Sequence, residues 1–241
     1  MAQPVKKTTY KSQRKAEAEK QEKQRKAMKK LFWITGIVVV VGIIAALIFT
    51  PKADPTAFEY DQLPILGKAD APVKIVEFGD YKCPSCQVFS QQIKPQIEKD
   101  YIESGKVAMY FMNFPFIGED STTAALAAQS VFHQNNDAFW KYFDVLYKNQ
   151  QDEHTLWATP EHLVQLAKDN AIDVDLDLLK KDIEDRTYQS EVNKHTKAAN
   201  AANVMSTPTL FINGEEFTGS FGDYPAIKKA IDEALAAGST K

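Results

Sequence analysis

Apolar residues along the chain fall into one long run and several short clusters. The long run covers residues 31–49 (LFWITGIVVVVGIIAALIF), nineteen positions without a charged side chain. At about 1.5 Å per residue, a helix of this length spans roughly 28 Å, close to the ~30 Å hydrocarbon core of a bilayer. The run therefore predicts one transmembrane anchor. A cleaved signal peptide is the alternative, but its apolar region would be shorter and a small-x-small cleavage site would follow it.

The shorter clusters predict a domain of strands and helices. Three of them are typical of strands: 73–79, 106–114 and 209–212. Asn213-Gly214 then predicts a hairpin turn, with 215–218 as the returning strand. Apolar residues at helical spacing cover three further stretches: 88–97, 119–203 and 223–237. This order predicts an α/β fold, a four-stranded mixed sheet flanked by helices, with a large all-helical insertion at about 119–203.

Charge is distributed unevenly along the chain. Residues 1–30 hold eleven Lys or Arg and three Glu, a net charge of +8, so the other 211 residues carry −11 of the total of −3. Basic residues gather on the cytoplasmic side of membrane helices, so 1–30 is predicted to be a cytoplasmic tail. Residues 50–71 are then an extracytoplasmic linker, and 72–241 an extracytoplasmic domain of a single-pass protein of the cell membrane. A nucleic-acid arm is the alternative for 1–30, and the apolar run behind it argues against nucleic acid.

Two cysteines, three positions apart, point to redox chemistry. Cys83 and Cys86 are the two cysteines among 241 residues, and they follow strand 73–79 at the start of a predicted helix. Unpaired N–H groups and the helix dipole stabilise a Cys83 thiolate there. Pro84 suits a first helical turn because it has no N–H to leave unpaired. Cys86 lies one turn later, within bonding reach, so the pattern predicts thiol–disulfide exchange.

Other interpretations of the cysteine pair fit less well. A zinc site needs four protein ligands, or three and a water, and no further cysteine is present. The four histidines are scattered without ligand spacing, so no metal site is predicted: His133, His154, His162 and His195. A purely structural disulfide would close a very small loop and constrain the unfolded chain little.

Three features together resemble a known family: the Cys83-Pro84-Ser85-Cys86 motif, the helical insertion, and Thr207-Pro208 directly before strand 209–212. The chain resembles the thioredoxin superfamily, and specifically its membrane-anchored, DsbA-like thiol–disulfide oxidoreductases. The resemblance covers roughly residues 72–237 and implies a thioredoxin fold for the domain.

The resemblance also implies roles for residues outside the motif. Pro208 is expected to be cis and to face the sulfurs, with the Thr207 backbone binding an extended client peptide. An ordinary trans proline opening an edge strand is the alternative. Glu77 is expected to take and return the proton of Cys86, unless it is a solvated glutamate. Pro84 and Ser85 are expected to contact the client.

The implied activity is oxidation of reduced client proteins outside the cytoplasm by the Cys83–Cys86 disulfide. A membrane quinone reductase of the DsbB type is the expected partner for re-oxidation, and no cofactor is required. The strongest oxidants of the family have His where this chain has Ser85, whose hydroxyl donates a weaker hydrogen bond. A reductase or isomerase of the same fold therefore stays an alternative, and a copper chaperone is a more distant one.

Overall fold

The computed structural model describes residues 7–49 and 55–238, in two compact units divided between Asp54 and Pro55. The first unit contains one helix, α1 (Lys7–Phe49). In the described part of the chain, no helix is both long and apolar enough to cross a membrane. The transmembrane helix predicted over 31–49 is therefore not confirmed. The side chains of its last seven residues, 43–49, are not among those that the structure describes, and neither is any part of the linker segment 50–54.

A mixed sheet in the second unit carries the rest of the fold. Its strands are β1 (Ile65–Leu66), β2 (Val73–Gly79), β3 (Val107–Asn113), β4 (Thr209–Ile212) and β5 (Glu215–Glu216). They lie in the order β1-β3-β2-β4-β5, and only the central pair β2–β3 is parallel. The prediction of four strands is wrong by one. The extra strand, β1, pairs with the outer edge of β3, and two residues are too few for an alternating pattern to reveal.

Residues 55–71 pack on the domain, although the whole of 50–71 was predicted to be a linker. Leu63 is buried, and the rings of Phe58 and Phe211 lie 5.4 Å apart on one face of the sheet. The Thr56 N–H donates to Gly214 O at 2.7 Å, which ties this segment to the β4–β5 turn. The apolar side chains of the segment cover sheet surface that would otherwise be exposed to water.

The opposite face of the sheet is covered by helices. The first begins as α2 (Pro84–Val88) and passes through a π-helical turn, Phe89–Ile93, into α3 (Lys94–Ile97). Pro95 has no N–H for an α-helical bond, which explains this irregularity. The predicted helical block consists of five helices: α4 (Glu119–Gln134), α5 (Asn136–Lys148), α6 (Pro160–Asp169), α7 (Leu176–Glu184) and α8 (Gln189–Ala201). Of these, α8 packs through Ala199 on the other face of the sheet, in the core that contains Leu63. The closing helix is α9 (Tyr224–Gly238).

Alternation along β2 decides which face each side chain joins. Val73 and Ile75 pack in the larger core with both cysteines, whereas Val76 and Phe78 pack in the smaller core on the other face. Glu77 follows the same alternation and lies on the face of Val73 and Ile75. The sheet thus brings one carboxyl group to the side that carries the cysteines.

Candidate active site

The two cysteines lie just after β2, at the start of α2. Cys83 is the N-cap of α2, with extended backbone angles, and Pro84 is its first residue. The Cys83 N–H donates to Asp80 O at 2.9 Å, and Cys83 O accepts from Gln87 N at 3.1 Å. Both cysteines are free thiols, with 6% of Cys83 and none of Cys86 exposed. Of the two cysteines, Cys83 is therefore the one that is exposed to solvent, although only slightly.

The surroundings of Cys83 favour its thiolate. Its pKa falls from 9.0 to about 6, first because of the hydrogen bond with the Cys86 side chain. Backbone N–H groups of Cys86 and Ser85 lower the pKa further, while burial opposes them. These are the unpaired N–H groups of the first turn of α2, so the helix start acts as an anion site. When protonated, Cys83 Sγ donates to Thr207 O at 3.3 Å.

Cys86 behaves in the opposite way. Burial raises its pKa well above 9.0, and the hydrogen bond with Cys83 and the nearby charge of Glu77 act in the same direction. One helical turn therefore holds a thiolate and a thiol side by side. This is the division expected of an attacking or leaving sulfur and a resolving sulfur.

Glu77 lies in the core without exposure, and neither carboxyl oxygen has a hydrogen-bond partner among the described residues. Burial raises its pKa well above 4.5; the charge of Lys94 opposes this shift, and that of Cys83 adds to it. Lys94 is itself buried, and its Nζ lies 3.0 Å from Asp144 Oδ1 at the edge of the core. Glu77 can thus hold a proton in the interior, within electrostatic reach of Cys86.

The chain returns to the cysteines at Thr207-Pro208, which is a cis peptide bond. Thr207 contacts Cys83 through its carbonyl oxygen, and Pro208 leads directly into β4. Pro208 also lines a pocket of about 340 Å³, together with Phe217 and Phe221. A buried dithiol, an acid beneath it and a cis-proline beside it form a site suited to exchanging disulfides with an extended chain.

The chain is similar to known proteins. The family model described as thioredoxin matches residues 60–233. Disulfide bond formation protein D of Bacillus subtilis is 41% identical over 172 residues, covering 71% of this chain and 77% of the relative. This chain belongs to the thioredoxin superfamily, as a DsbA-like thiol–disulfide oxidoreductase. Probable disulfide bond formation protein D of Bacillus cereus is 37% identical over 201 residues, covering 83% of this chain and 92% of that protein.

A solved structure supports the same membership. The crystal structure of oxidised BdbD from Bacillus subtilis matches with a TM-score of 0.72 and 38% identity, covering 77% of this chain and all of the other. The expected thioredoxin-like fold with a mixed sheet and helices is therefore confirmed, with five strands instead of four.

Most of the site residues named from the sequence lie together. Cys83 and Cys86 share the first turns of α2, and Thr207 contacts Cys83. Pro84 is exposed and Ser85 is half-buried, and both lie between the two cysteines in the sequence; their contact with a client stays a prediction. Glu77 is buried, which contradicts the alternative of a solvated glutamate.

Other residues hold the cysteine segment and were missed from the sequence. Gln150 Nε2 donates to Tyr81 O at 2.8 Å and to Cys83 O at 3.0 Å. Asp80 accepts from the Lys82 N–H at 2.9 Å. Gln150 is 67 positions from Cys83, and no sequence signal marks it. Asp80 and Lys82 could have been noticed as charges beside the dithiol.

Proposed function

We propose that this oxidoreductase acts as an oxidase, which donates its Cys83–Cys86 disulfide to client proteins outside the cytoplasm. The observation that supports this direction is the Cys83 pKa of about 6. At pH 7 such a thiol is about nine-tenths thiolate, compared with about a hundredth at a pKa of 9.0. Stabilising the thiolate stabilises the reduced protein, so the disulfide becomes a stronger oxidant.

The cycle transfers two electrons from the client to this chain; the client thiols give up their protons on becoming thiolates, and of the two protein sulfurs only Cys86 binds one. A client thiolate attacks Cys83 Sγ, the disulfide breaks, and the electron pair goes to Cys86 Sγ. Glu77 is placed to supply the proton that Cys86, with its raised pKa, then binds. A second client thiolate attacks the client sulfur of the mixed disulfide and expels the Cys83 thiolate. The client leaves with a disulfide, and this chain is reduced.

Re-oxidation requires an electron acceptor, and we propose a membrane quinone reductase of the DsbB type. The Cys83 thiolate, on the same exposed side that a client meets, would attack a disulfide of this partner. Cys86 would then expel the partner's thiolate and close the Cys83–Cys86 disulfide, leaving the electron pair on the partner. Co-expression of the reduced chain with such a reductase should restore the disulfide in membranes that contain quinone, and membranes lacking the reductase are the control. Failure of every quinone-linked partner to re-oxidise Cys83 would contradict this part of the proposal.

The membrane location is proposed from the sequence. The apolar run 31–49 follows a tail of charge +8, which favours a cytoplasmic N-terminus and an extracytoplasmic domain. Protease added to spheroplasts should digest residues after 55 and spare the tail. Digestion only after lysis would contradict the proposed topology.

Direction of transfer is tested by the redox potential of the Cys83–Cys86 pair against glutathione. An oxidase should equilibrate well above the roughly −270 mV of thioredoxin, towards the roughly −120 mV of DsbA. The Cys83→Ser variant is the control, because it cannot form the disulfide. A potential at or below that of thioredoxin would assign the chain as a reductase.

A further inference from the structure

Gln150 uses its side-chain amide to hold the segment that leads into α2. Its Nε2 donates to Tyr81 O at 2.8 Å and to Cys83 O at 3.0 Å. An amide nitrogen carries two hydrogens, so both donors are used on this one segment. Gln150 is half-buried and lies two residues beyond the end of α5. One side chain thus bonds two backbone carbonyls, one of which belongs to the reactive cysteine.

The peptide unit that joins Cys83 to Pro84 has a single group through which hydrogen bonds can hold it. An ordinary peptide unit has both an N–H and a carbonyl, but proline lacks the N–H. Cys83 O accepts from the Gln87 N–H at 3.1 Å, as a backbone bond of α2, and from Gln150 at 3.0 Å. A carbonyl oxygen has two lone pairs, so the two bonds together fix the orientation of this peptide unit.

The orientation of this peptide unit also places the Cys83 sulfur. The backbone N–H groups of Ser85 and Cys86 are among the groups that lower the Cys83 pKa. Cys83 itself is the N-cap, with extended backbone angles, so the helical hydrogen-bond pattern does not continue through it. A rotation of its carbonyl group would turn the Cys83 side chain relative to these N–H groups. Holding the carbonyl therefore also holds Sγ at the start of α2.

The part of the chain that carries Gln150 is itself fixed against the cysteine helix. Tyr147, in the last turn of α5, is fully buried. Its carbonyl accepts from Gln87 Nε2 at 2.8 Å and from Gln91 Nε2 at 3.2 Å. The N–H of Gln150 donates to the same carbonyl at 3.4 Å. The end of α5 is thus a fixed support from which Gln150 reaches the cysteine segment.

We propose that Gln150 is a positioning residue of the disulfide exchange, which holds the Cys83 carbonyl so that the Cys83 thiolate stays at the N–H groups of α2. Gln150 acts through the backbone of Cys83, so it is not a catalytic residue. This inference rests on the proposed function, because a better stabilised thiolate makes the disulfide a stronger oxidant. It assigns part of that oxidising strength to a residue of the helical block.

A residue that only stabilises the fold and a residue that positions the thiolate have different effects. The disulfide form contains no thiolate, so a purely structural contact stabilises the oxidised and the reduced forms alike. A contact that supports the Cys83 thiolate stabilises the reduced form more. Its loss raises the pKa of Cys83, destabilises the reduced form and makes the disulfide a weaker oxidant.

The test uses Gln150→Met in the full-length chain, kept in mild detergent. The introduced side chain is about as long as glutamine but has no hydrogen-bond donor. The pH midpoint of Cys83 alkylation should rise from about 6 by roughly half a unit to one unit. At pH 7 the equilibrium with glutathione should then shift roughly three- to fivefold towards the disulfide, which corresponds to about 15–20 mV.

Gln151→Met is the matched control, because Gln151 is the next residue and is exposed. It should change neither the alkylation midpoint nor the glutathione equilibrium. If Gln150→Met does not fold, Gln150→Leu decides, with the same expected shifts. Failure of both variants to fold would show that Gln150 is needed for the fold and would overturn the inference.

A folded Gln150 variant with the alkylation midpoint and the glutathione equilibrium of the wild type would also overturn the inference. An equal loss of unfolding free energy in the oxidised and the reduced forms would have the same meaning. A wild-type potential at or below that of thioredoxin would instead refute the proposed function. In that case an upward shift of the midpoint in Gln150→Met would still support the positioning role.

Discussion

The stability of the reduced domain should depend on pH through Cys83. Its pKa is about 6 in the folded chain against 9.0 for an ordinary thiol. A lowered pKa contributes stability that is complete above 9.0 and is lost as the pH falls through 6. At pH 7 the contribution is roughly 1 to 2 kcal/mol, and by pH 4 it is absent. About 1.4 kcal/mol corresponds to 30 mV for a two-electron couple. At pH 7 the disulfide is therefore roughly 20–40 mV more oxidising than it would be if the Cys83 pKa were unshifted.

The measurement is the free energy of unfolding of the reduced and the oxidised chain, by denaturant titration at pH 4 to 8. Groups that titrate alike in both forms cancel in the difference. Cys86 does not contribute in this range, because its pKa is raised above 9.0 in the folded chain. The reduced form should gain on the oxidised form from about pH 5 upwards.

Cys83→Ser is the control: it has no oxidised form, and its free energy of unfolding, compared with that of the oxidised wild type, should not increase from pH 5 to 8 as that of the reduced wild type does. A difference that stays flat from pH 4 to 8, with Cys83 alkylation centred near pH 9, would refute the reasoning. It would also remove the main support for the oxidase assignment.

Three further predictions concern Glu77, His195 and Gly214. Glu77→Gln should stabilise the domain at pH 7, because the raised pKa of the Glu77 carboxyl removes stability from the wild type as the pH rises above 4.5, by up to about 1.4 kcal/mol per pH unit. In denaturant titrations from pH 4 to 7, the free energy of unfolding of the variant minus that of the wild type should therefore increase with pH. Burial lowers the pKa of His195 to about 4, so His195 should remove roughly 3 kcal/mol from the free energy of unfolding as the pH falls from 6.5 to 4. His195→Gln should lack this loss. Gly214→Ala should cost about 1–3 kcal/mol, because φ is +82° and a Cβ would lie 2.5 Å from Thr56 O, whereas Gly222→Ala, with no atom closer than 4.0 Å, should be near neutral in the same assay.

The sequence by itself determined the features that depend on neighbouring positions. A strand ending at Gly79 and a helix starting at Cys83 follow from short-range pattern, and so does the pairing of a solvent-facing and a buried sulfur one turn apart. Alternation along β2 placed Glu77 on one face of the sheet. These signals are local because backbone geometry repeats every two or 3.6 residues.

Only the tertiary structure decided the contacts between distant segments. Asn136 holds β1 in place by bonding both backbone groups of Ile65, 71 positions away. Lys82 forms a buried ion pair with Asp120, 38 positions away. From the sequence alone, the charge of this lysine would be expected at the surface; in the structure it connects two loops. Partners of buried polar groups depend on how elements pack, and packing leaves no periodic trace in the sequence.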